Sequence, residues 1–283
     1  RYSSFYYVQA ENKIWECRLR GKQRLKKQDV IAGDRVILSA IDEKQGVIEE
    51  IIPRTTELYR PMIANASQLL IVASLKLPSP DWVLLDRLLI LGSFSGLKPL
   101  IAFNKLDLAD EKDLVMPNYY KKIGYDVFLT SAKKKIGLDS LEPVFQNEMT
   151  VFAGPSGAGK SSLLNAIDNE LKLQTGVVSG KLGRGKHTTR QVELLNLKFG
   201  GFVADTPGFS KLDLPKDIKR EKLADYFPDI AAYHGLCKFN TCLHRQEPAC
   251  EVVKAVENGT ISRERYENYC CFLDEVIAQE RSY

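Results

Sequence analysis

A glycine-rich stretch in the middle of the chain has the residue types and spacing of a phosphate-binding loop. Gly154, Gly159, Lys160 and Ser161 fit the pattern G-x-x-x-x-G-K-[ST], after an apolar run at 150–153 and before a helical pattern. Glycines let backbone N–H groups turn inward around phosphate oxygens, and the helix N-terminus adds partial positive charge. We expect Lys160 to reach the β- and γ-phosphates of a nucleotide and Ser161 to bind Mg²⁺. The residues expected to contact the nucleotide here are Gly154, Pro155, Ser156, Gly157, Ala158, Gly159, Lys160, Ser161 and Ser162.

Two polar segments earlier in the chain predict which base is bound. Asn104-Lys105-Leu106-Asp107 follows a strand pattern at 99–103, and Ser131-Ala132-Lys133 follows another at 125–129. A carboxylate at Asp107 can accept bonds from N1–H and N2–H₂ of guanine together, and adenine lacks that pair of donors. A site built on such bonds can reject the wrong base by roughly 10⁴-fold. All seven residues are therefore expected to form a guanine site that binds GTP and GDP.

Two segments after the phosphate loop are expected to complete a magnesium and γ-phosphate site. The stretch 183–190 is basic and glycine-rich, and within it we favour Thr189 over Thr188 as a metal ligand. Asp205-Thr206-Pro207-Gly208 follows a short strand pattern at 201–204. The carboxylate would hold Mg²⁺ through water, and the N–H of Gly208 would contact the γ-phosphate. The expected magnesium ligands are thus Ser161, Thr189 and Asp205.

A cluster of cysteine and histidine near the carboxyl end predicts a structural metal site. Cys237, Cys242, His244 and Cys250 offer three thiolates and one imidazole, which matches a closed zinc site. The spacing is not that of a zinc finger, and His234 is a competing imidazole. The other three cysteines, Cys17, Cys270 and Cys271, are interpreted as buried or inert thiols. Six cysteines, no visible secretory signal and a nucleotide motif together indicate the reducing cytosol. We therefore expect one zinc ion and a cytoplasmic protein.

The rest of the chain divides into three predicted domains. Short strand patterns in residues 1–60 fit a five-stranded OB-type β-barrel, and residues 61–212 alternate strands with helices, as α/β folds do. Residues 213–283 are mainly helical around the zinc cluster. Six basic residues between 18 and 27 are either an RNA-contacting strand edge or an ordinary solvated one. The net charge of +4 is modest, and no apolar run is long enough for a membrane span.

The order of the motifs is that of a circularly permuted GTPase, because the base-reading segments precede the phosphate loop. With the amino-terminal β-domain and the Cys/His cluster, the whole chain resembles the RsgA family, also called YjeQ, of GTPases dependent on the small ribosomal subunit. The stretches that carry the resemblance are 154–162, 184–190 and 205–209. The resemblance implies a bacterial assembly factor that binds the small subunit and its rRNA late in maturation. It further implies release after GTP hydrolysis that the subunit stimulates, and we expect a monomer.

For the residue that orients the attacking water, the sequence leaves alternatives open. Ras-like enzymes place a glutamine directly after the Asp-x-x-Gly motif, whereas this chain has Phe209. His187 is the best local replacement, and the family resemblance points to it as well; the alternatives are an exposed loop histidine and a group of the ribosome itself. Two other functions compete with this one. One is a nucleotide-gated RNA-binding module, and the other is assembly of the large subunit, which the β-domain and the Cys/His cluster disfavour.

Overall fold

The computed structural model describes residues 5–11, 13–20, 29–59, 62–171, 173, 193–205 and 213–281. The strands are β1 (Tyr6–Ala10), β2 (Lys13–Leu19), β3 (Val36–Ala40), β4 (Gln45–Ile51), β5 (Glu57–Tyr59), β6 (Met62–Ala64), β7 (Gln68–Ser74), β8 (Lys98–Asn104), β9 (Asp126–Leu129), β10 (Met149–Ala153), β11 (Glu193–Asn196) and β12 (Phe202–Asp205). The α-helices are α1 (Trp82–Phe94), α2 (Val115–Lys122), α3 (Glu142–Phe145), α4 (Lys160–Ile167), α5 (Pro228–Ala231), α6 (Glu251–Glu257) and α7 (Arg263–Arg281). Short 3₁₀ helices span Leu106–Leu108, Glu111–Leu114 and Arg220–Tyr226.

The amino-terminal strands form a four-stranded sheet in the order β1-β2-β4-β3, in which only the β2–β4 pair is parallel. Alternation along the strands buries Cys17 and Ile48 and leaves the opposite face exposed, with Ile14 and Ile37 among its polar side chains. The predicted β-domain is confirmed, and among the described residues its sheet has four strands where five were expected. On this exposed face the guanidinium of Arg18 lies 4.7 Å from the centre of the Phe5 ring, and Arg20 pairs with Glu49. RNA contact by the basic stretch stays a prediction, because residues 21–28 lie outside the described part of the chain.

The central sheet has the strand order β11-β12-β10-β7-β8-β9, and its strands are parallel except for β11. Strand β7 is buried along its whole length, as its unbroken apolar run predicts. Its alternate residues Leu69 and Ile71 pack under α1 and α2, and Leu70 and Val72 pack under α3 and α4. The α/β fold class is confirmed. Because β8, β9, β10 and β12 run parallel, the polar segments that follow them emerge at one edge of the sheet.

The stretch Ser79-Pro80-Asp81 predicts a helix with Ser79 as its N-cap and Pro80 at its first position, but helix α1 begins two residues later than that. The helix starts at Trp82, and the carboxylate of Asp81 accepts the N–H of Leu84 at 2.9 Å. Asp and Ser are both good N-cap residues, but only Asp81 stands three positions before the N–H that needs a partner. The prediction of Ser79 as the cap was therefore wrong, and Pro80 lies before the helix instead of in its first turn.

The region 213–281 is helical throughout its regular structure and packs on α1. The charged stretches 219–226 and 262–279 each predict a helix. The first is the 3₁₀ helix Arg220–Tyr226, and the second is α7. Phe227, Tyr269 and Phe272 form the centre of its core, and Ile90 of α1 belongs to the same core. Within the described residues no helix is both long and apolar enough to cross a membrane.

A buried cluster of charges lies at the junction between α1 and this region. The guanidinium of Arg265 donates to both carboxylate oxygens of Asp229 at 3.0 and 3.1 Å and also pairs with Asp86. The side chains of Arg265 and Asp86 are 1% and 0% exposed. Tyr120 and Asn268 donate to the two oxygens of Asp86, each at 2.8 Å. Burial raises the pKa of the Asp86 carboxyl, whereas the Arg265 charge acts to lower it.

Replacing Arg265 with methionine is expected to destabilise this junction strongly. The change keeps an unbranched apolar side chain but leaves two buried carboxylates without their cation, which costs about 3–5 kcal/mol. Urea unfolding measures the loss. Arg245→Met is the matched control, because its pair with Asp274 is largely exposed and should contribute about 0–1 kcal/mol. Equal losses of unfolding free energy in the two variants would show that the buried cluster stabilises the protein no more than an exposed ion pair does.

Candidate functional site

The predicted phosphate loop joins the end of β10 to the start of α4. Gly154 and Gly159 have φ angles of 135° and 95°, which side chains rarely adopt. A Cβ on Gly154 would lie 2.1 Å from the Val72 carbonyl oxygen, and one on Gly159 would lie 2.4 Å from Nδ2 of Asn104. Glycine is therefore required at both positions by backbone conformation and by space. The ammonium of Lys160 donates to the carbonyls of Gly154 and Pro155 at 2.8 and 3.0 Å, so it lies within the loop.

Asn104 links the phosphate loop to the two base-side segments. Its side chain is buried, and Nδ2 donates to the carbonyl of Ala158 at 3.0 Å. Its Oδ1 accepts the N–H of Ala132 at 3.1 Å. Buried Thr130, which sequence reasoning missed, lies beside the same oxygen, with Oγ1 at 3.5 Å from it. One amide thus fixes three segments relative to one another.

Lys105 makes a second link to the phosphate loop. It adopts a left-handed conformation with φ 66°, and its ammonium donates to the carbonyls of Leu77 and Gly157, the latter at 2.7 Å. Burial lowers the pKa of Lys105, and the nearby charge of Asp107 acts against that shift. The Leu77–Pro78 segment was not singled out from the sequence, and its part in the site follows only from the fold.

Asp107 and Ser131 lie side by side, as the guanine prediction requires. The hydroxyl of Ser131 donates to Oδ1 of Asp107 at 2.5 Å and accepts the N–H of Lys134 at 3.1 Å. The turn that presents Ser131-Ala132-Lys133 depends on Gly137, where a Cβ would lie 2.1 Å from the Leu129 carbonyl oxygen. A glycine shortly after the Ser-Ala-Lys segment was the available sequence signal for this turn.

The magnesium and γ-phosphate predictions are covered only in part. Strand β12 ends at Asp205, whose backbone pairs in register with Phe152, two positions before the phosphate loop begins at Gly154. His187, Thr189 and Gly208 lie outside the described residues, and so does the side chain of Asp205. Ser161 and Ser162 occupy the first turn of α4. Of the predicted nucleotide site, the described residues thus show the phosphate loop and the two guanine segments, 104–107 and 131–133, lying together.

The four predicted metal ligands form one cluster whose donor atoms lie within 4.8 Å of one another. Nδ1 of His244 is 3.4 Å from the Cys237 sulfur and 3.6 Å from the Cys250 sulfur, and those two sulfurs are 3.9 Å apart. A tetrahedral zinc with its usual bond lengths would separate two sulfurs by about 3.8 Å and a sulfur from a nitrogen by about 3.6 Å. The residues thus fit zinc. His234 lies outside the cluster, because its Nε2 pairs with Asp225 at 2.9 Å.

Hydrogen bonds to Glu247 help to shape the chain around the cluster. The carboxylate of Glu247 accepts three backbone N–H groups between positions 243 and 246, at 2.8 to 3.1 Å. Burial acts to raise the pKa of Glu247, but these bonds keep it lowered. Burial also raises the pKa of the Cys250 thiol and that of Cys242, the latter to about 12. A cation is therefore needed to hold these sulfurs as thiolates at neutral pH.

The fold and the site together define a class of protein. A parallel sheet carries a phosphate loop after β10 and a guanine-type Asn-Lys-x-Asp segment at the end of β8. The guanine-type segment precedes the phosphate loop in the chain. This arrangement is that of a circularly permuted GTPase. Residues 51–215 match the model of the RsgA GTPase family and residues 1–48 match its amino-terminal domain. The chain belongs to the RsgA GTPase family and is an enzyme that hydrolyses GTP.

Relatives match over nearly the whole chain. A protein of Moorella thermoacetica named small ribosomal subunit biogenesis GTPase RsgA is 50% identical over 283 residues, covering 100% of this chain and 97% of its own. The protein of the same name from Bacillus subtilis is 46% identical, covering 99% and 97%. The crystal structure of YjeQ from Thermotoga maritima has a TM-score of 0.81 at 36% identity, covering 98% and 95%. That of YloQ, described as a circularly permuted GTPase, has a TM-score of 0.80 at 41% identity, covering 99% and 93%.

Proposed function

We propose that this GTPase acts in late maturation of the small ribosomal subunit. It binds the subunit and its rRNA in the GTP state and leaves after hydrolysis that the subunit stimulates. The observation that carries the proposal is the match over 97% of the length of relatives named for small-subunit biogenesis. Such a factor works in the bacterial cytoplasm, and we propose that it does so as a monomer.

Guanine recognition is assigned to the end of β8 and the turn after β9. Asp107, oriented by Ser131, accepts from the two guanine donors, and the stem of Lys105 covers the ring. Asn104, Leu106, Ala132 and Lys133 complete the base side. The Asn104–Ala158 and Lys105–Gly157 bonds support this assignment, since they fix the base side relative to the phosphate loop and so set where a bound nucleotide must lie.

Phosphate binding is assigned to residues 154–162. The inward-turned loop offers backbone N–H groups to the phosphates, and the Lys160 ammonium is placed to exchange its carbonyl partners for phosphate oxygens. Ser161, Thr189 and Asp205 are the proposed ligands of Mg²⁺, which when bound neutralises charge that develops on the phosphates. Gly208 is proposed to contact the γ-phosphate.

The zinc proposal rests on the Cys237, Cys242, His244 and Cys250 cluster, whose donor spacing suits a closed tetrahedral site. The bound ion would hold the region 213–283 in its fold, and its ligand set leaves no open position for catalysis. We accordingly propose the division into a β-domain at 1–60, a GTPase domain at 61–212 and a zinc-binding helical domain at 213–283. The β-domain and the zinc domain are proposed as the subunit-contacting arms.

Release after hydrolysis can be tested by sedimentation with purified small subunits. The protein should pellet with subunits in the presence of a non-hydrolysable GTP analogue and should leave them when GTP is supplied and hydrolysed. A protein that stays bound after complete hydrolysis would favour the second candidate, an RNA-binding module whose hydrolysis is incidental. Pelleting with large subunits instead would refute the assignment to the small subunit.

His187→Ala is expected to lower the subunit-stimulated rate roughly 10²-fold, as for a lost positioning group. Phosphoryl transfer depends mainly on positioning and charge, and Phe209 cannot orient water, so the imidazole is proposed to do so. Nucleotide affinity and subunit binding should stay unchanged. Single-turnover hydrolysis on saturating subunits is the measurement, with His234→Ala as a matched control. If His187→Ala is stimulated as well as the parent, a group of the ribosome positions the water.

A further inference from the structure

The segment 75–80, which joins β7 to α1, touches both sides of the nucleotide site. The carbonyl of Leu77 accepts from the ammonium of Lys105, which also donates to the carbonyl of Gly157 at 2.7 Å. Pro78 lies against the phosphate loop, with its Cδ 3.5 Å from the position that a Cβ on Gly157 would take. The position of the Leu77 carbonyl therefore helps to decide where the Lys105 ammonium lies.

The backbone of Leu77 has an uncommon conformation. Its φ angle is 52°, in the left-handed region that a bulky side chain rarely enters. The residue is 75% exposed, so burial of its side chain contributes little to holding it there. Such a conformation persists only where the surrounding structure fixes it, and it is often found where a binding group has to be aimed. The contacts on either side of Leu77 must supply that restraint.

On the amino-terminal side, Lys76 is held by two carboxylates. Its Nζ lies 2.7 Å from Oδ2 of Asp110 and 3.0 Å from Oδ2 of Asp113. Asp113 also accepts the N–H of Asp110 at 2.7 Å, so both carboxylates are fixed at the start of the 3₁₀ helix Glu111–Leu114. Hydrogen bonds to Asp110 and Asp113 raise the pKa of Lys76, which keeps it cationic at neutral pH. We call these three side chains the Lys76 clasp.

The clasp ties the residue before Leu77 to the segment that follows the guanine motif. Two bonds to the main chain support it: the hydroxyl of Ser74 donates to the carbonyl of Lys76, and the N–H of Leu75 donates to the carbonyl of Asn104 at 3.0 Å. Lys76 is thus fixed through its side chain and its carbonyl, directly before the residue whose carbonyl holds Lys105.

We propose that Lys76 is a positioning residue for binding of the guanine nucleotide. The clasp fixes the Leu77 carbonyl, and that carbonyl fixes the ammonium of Lys105, whose stem covers the guanine ring. The proposal rests on the guanine site proposed above. Without the clasp, the Leu77 backbone can leave its left-handed conformation, and Lys105 then keeps only the Gly157 carbonyl. Loss of this preorganisation weakens binding, and we expect the effect in the dissociation rate, where most affinity differences between variants of one site appear.

Release of fluorescent GDP from the full-length protein into excess unlabelled GDP tests the proposal. Lys76→Met removes the cation and keeps an apolar stem, whereas Lys76→Arg keeps a cation that can reach both carboxylates. Lys98→Met is the matched control, because Lys98 also pairs with an aspartate, Asp126, at 2.7 Å, but at the far end of β8 from the guanine motif.

We expect Lys76→Met to release GDP about fivefold faster than the parent, the upper end of what a partly exposed ion pair contributes. Lys76→Arg and Lys98→Met should release it at nearly the parental rate. All three should keep the parental circular dichroism spectrum and zinc content. The proposal is overturned if Lys76→Met matches the parent, if Lys98→Met is equally fast, or if Lys76→Arg fails to restore slow release.

A double variant distinguishes positioning through Lys105 from a general loosening of the segment. Lys105→Met should itself speed release, and adding Lys76→Met to it should change the rate no further, because the group that the clasp positions is already gone. Effects that multiply in the double variant would show that Lys76 acts by another route and would overturn the proposal. Parental GTP affinity in Asp107→Asn, measured alongside, would instead refute the guanine site on which the proposal rests.

Discussion

Removing zinc is expected to unfold the region 213–281 while leaving GTP binding nearly intact. A region of this size has a small core, and a structural zinc ion contributes roughly 10 kcal/mol to such folds, more than any single contact described here. The nucleotide site is built from β8, β9, β10 and α4, none of which supplies a zinc ligand. Hydrogen exchange after chelation measures the two regions separately, and mass spectrometry of the native protein should find about one zinc per chain.

Variants of the cluster distinguish a metal site from a small cysteine core. Cys242→Ser should lose zinc, and the backbone N–H groups of α6 and α7 should lose their protection from hydrogen exchange. Cys270→Ser, outside the cluster, should keep both the zinc and the protection. His234→Ala should also keep its zinc, because that imidazole pairs with Asp225. Full protection of α7 in a metal-free protein would contradict the account, and so would retention of zinc by Cys242→Ser with loss from His234→Ala.

Asp107→Asn is expected to weaken GTP binding by roughly 10³ to 10⁴-fold and to improve binding of xanthosine triphosphate. The carboxylate accepts two guanine hydrogens, and an amide in its place presents a donor that leaves guanine unpaired but suits the C2 carbonyl of xanthine. Sites built on such bonds discriminate at about this level. Titration with fluorescent GTP and competition by the xanthosine nucleotide give both affinities.

The control for this change is Asp126→Asn. Asp126 lies at the first position of β9, at the opposite end of the strand from the guanine turn, and pairs with Lys98 on the surface. That variant should bind GTP as the parent does. Unchanged GTP affinity in Asp107→Asn would place the guanine site elsewhere, whereas loss of affinity for both nucleotides would indicate local unfolding around Ser131.

The sequence was informative about this site because its motifs are local and follow strands. The residue types at 104–107, 131–133 and 154–161 predict what each segment can bind, and the parallel strands dictate that the segments meet. The links between them were harder to foresee. Asn104 reaches Ala158 only because β8 and β10 flank β7 in a particular register, and no local pattern records that register.

Long-range contacts in the carboxyl-terminal half were not predictable for the same reason. Arg265 and Asp86 are 179 positions apart, and in the sequence each is one charged residue on an otherwise ordinary helix. Their burial is a property of how α7 packs on α1. The cap of α1 shows a smaller version of the problem, since Ser79 and Asp81 are both good caps and only the backbone path selects Asp81.

GTP turnover with purified ribosomal subunits tests the central claim most directly. The account predicts slow hydrolysis by the protein alone, strong stimulation by small subunits and none by large subunits at the same concentration. Repeated turnovers per protein molecule should follow, since release after hydrolysis frees the enzyme for another subunit. Equal rates with and without small subunits, or equal stimulation by large subunits, would contradict the account.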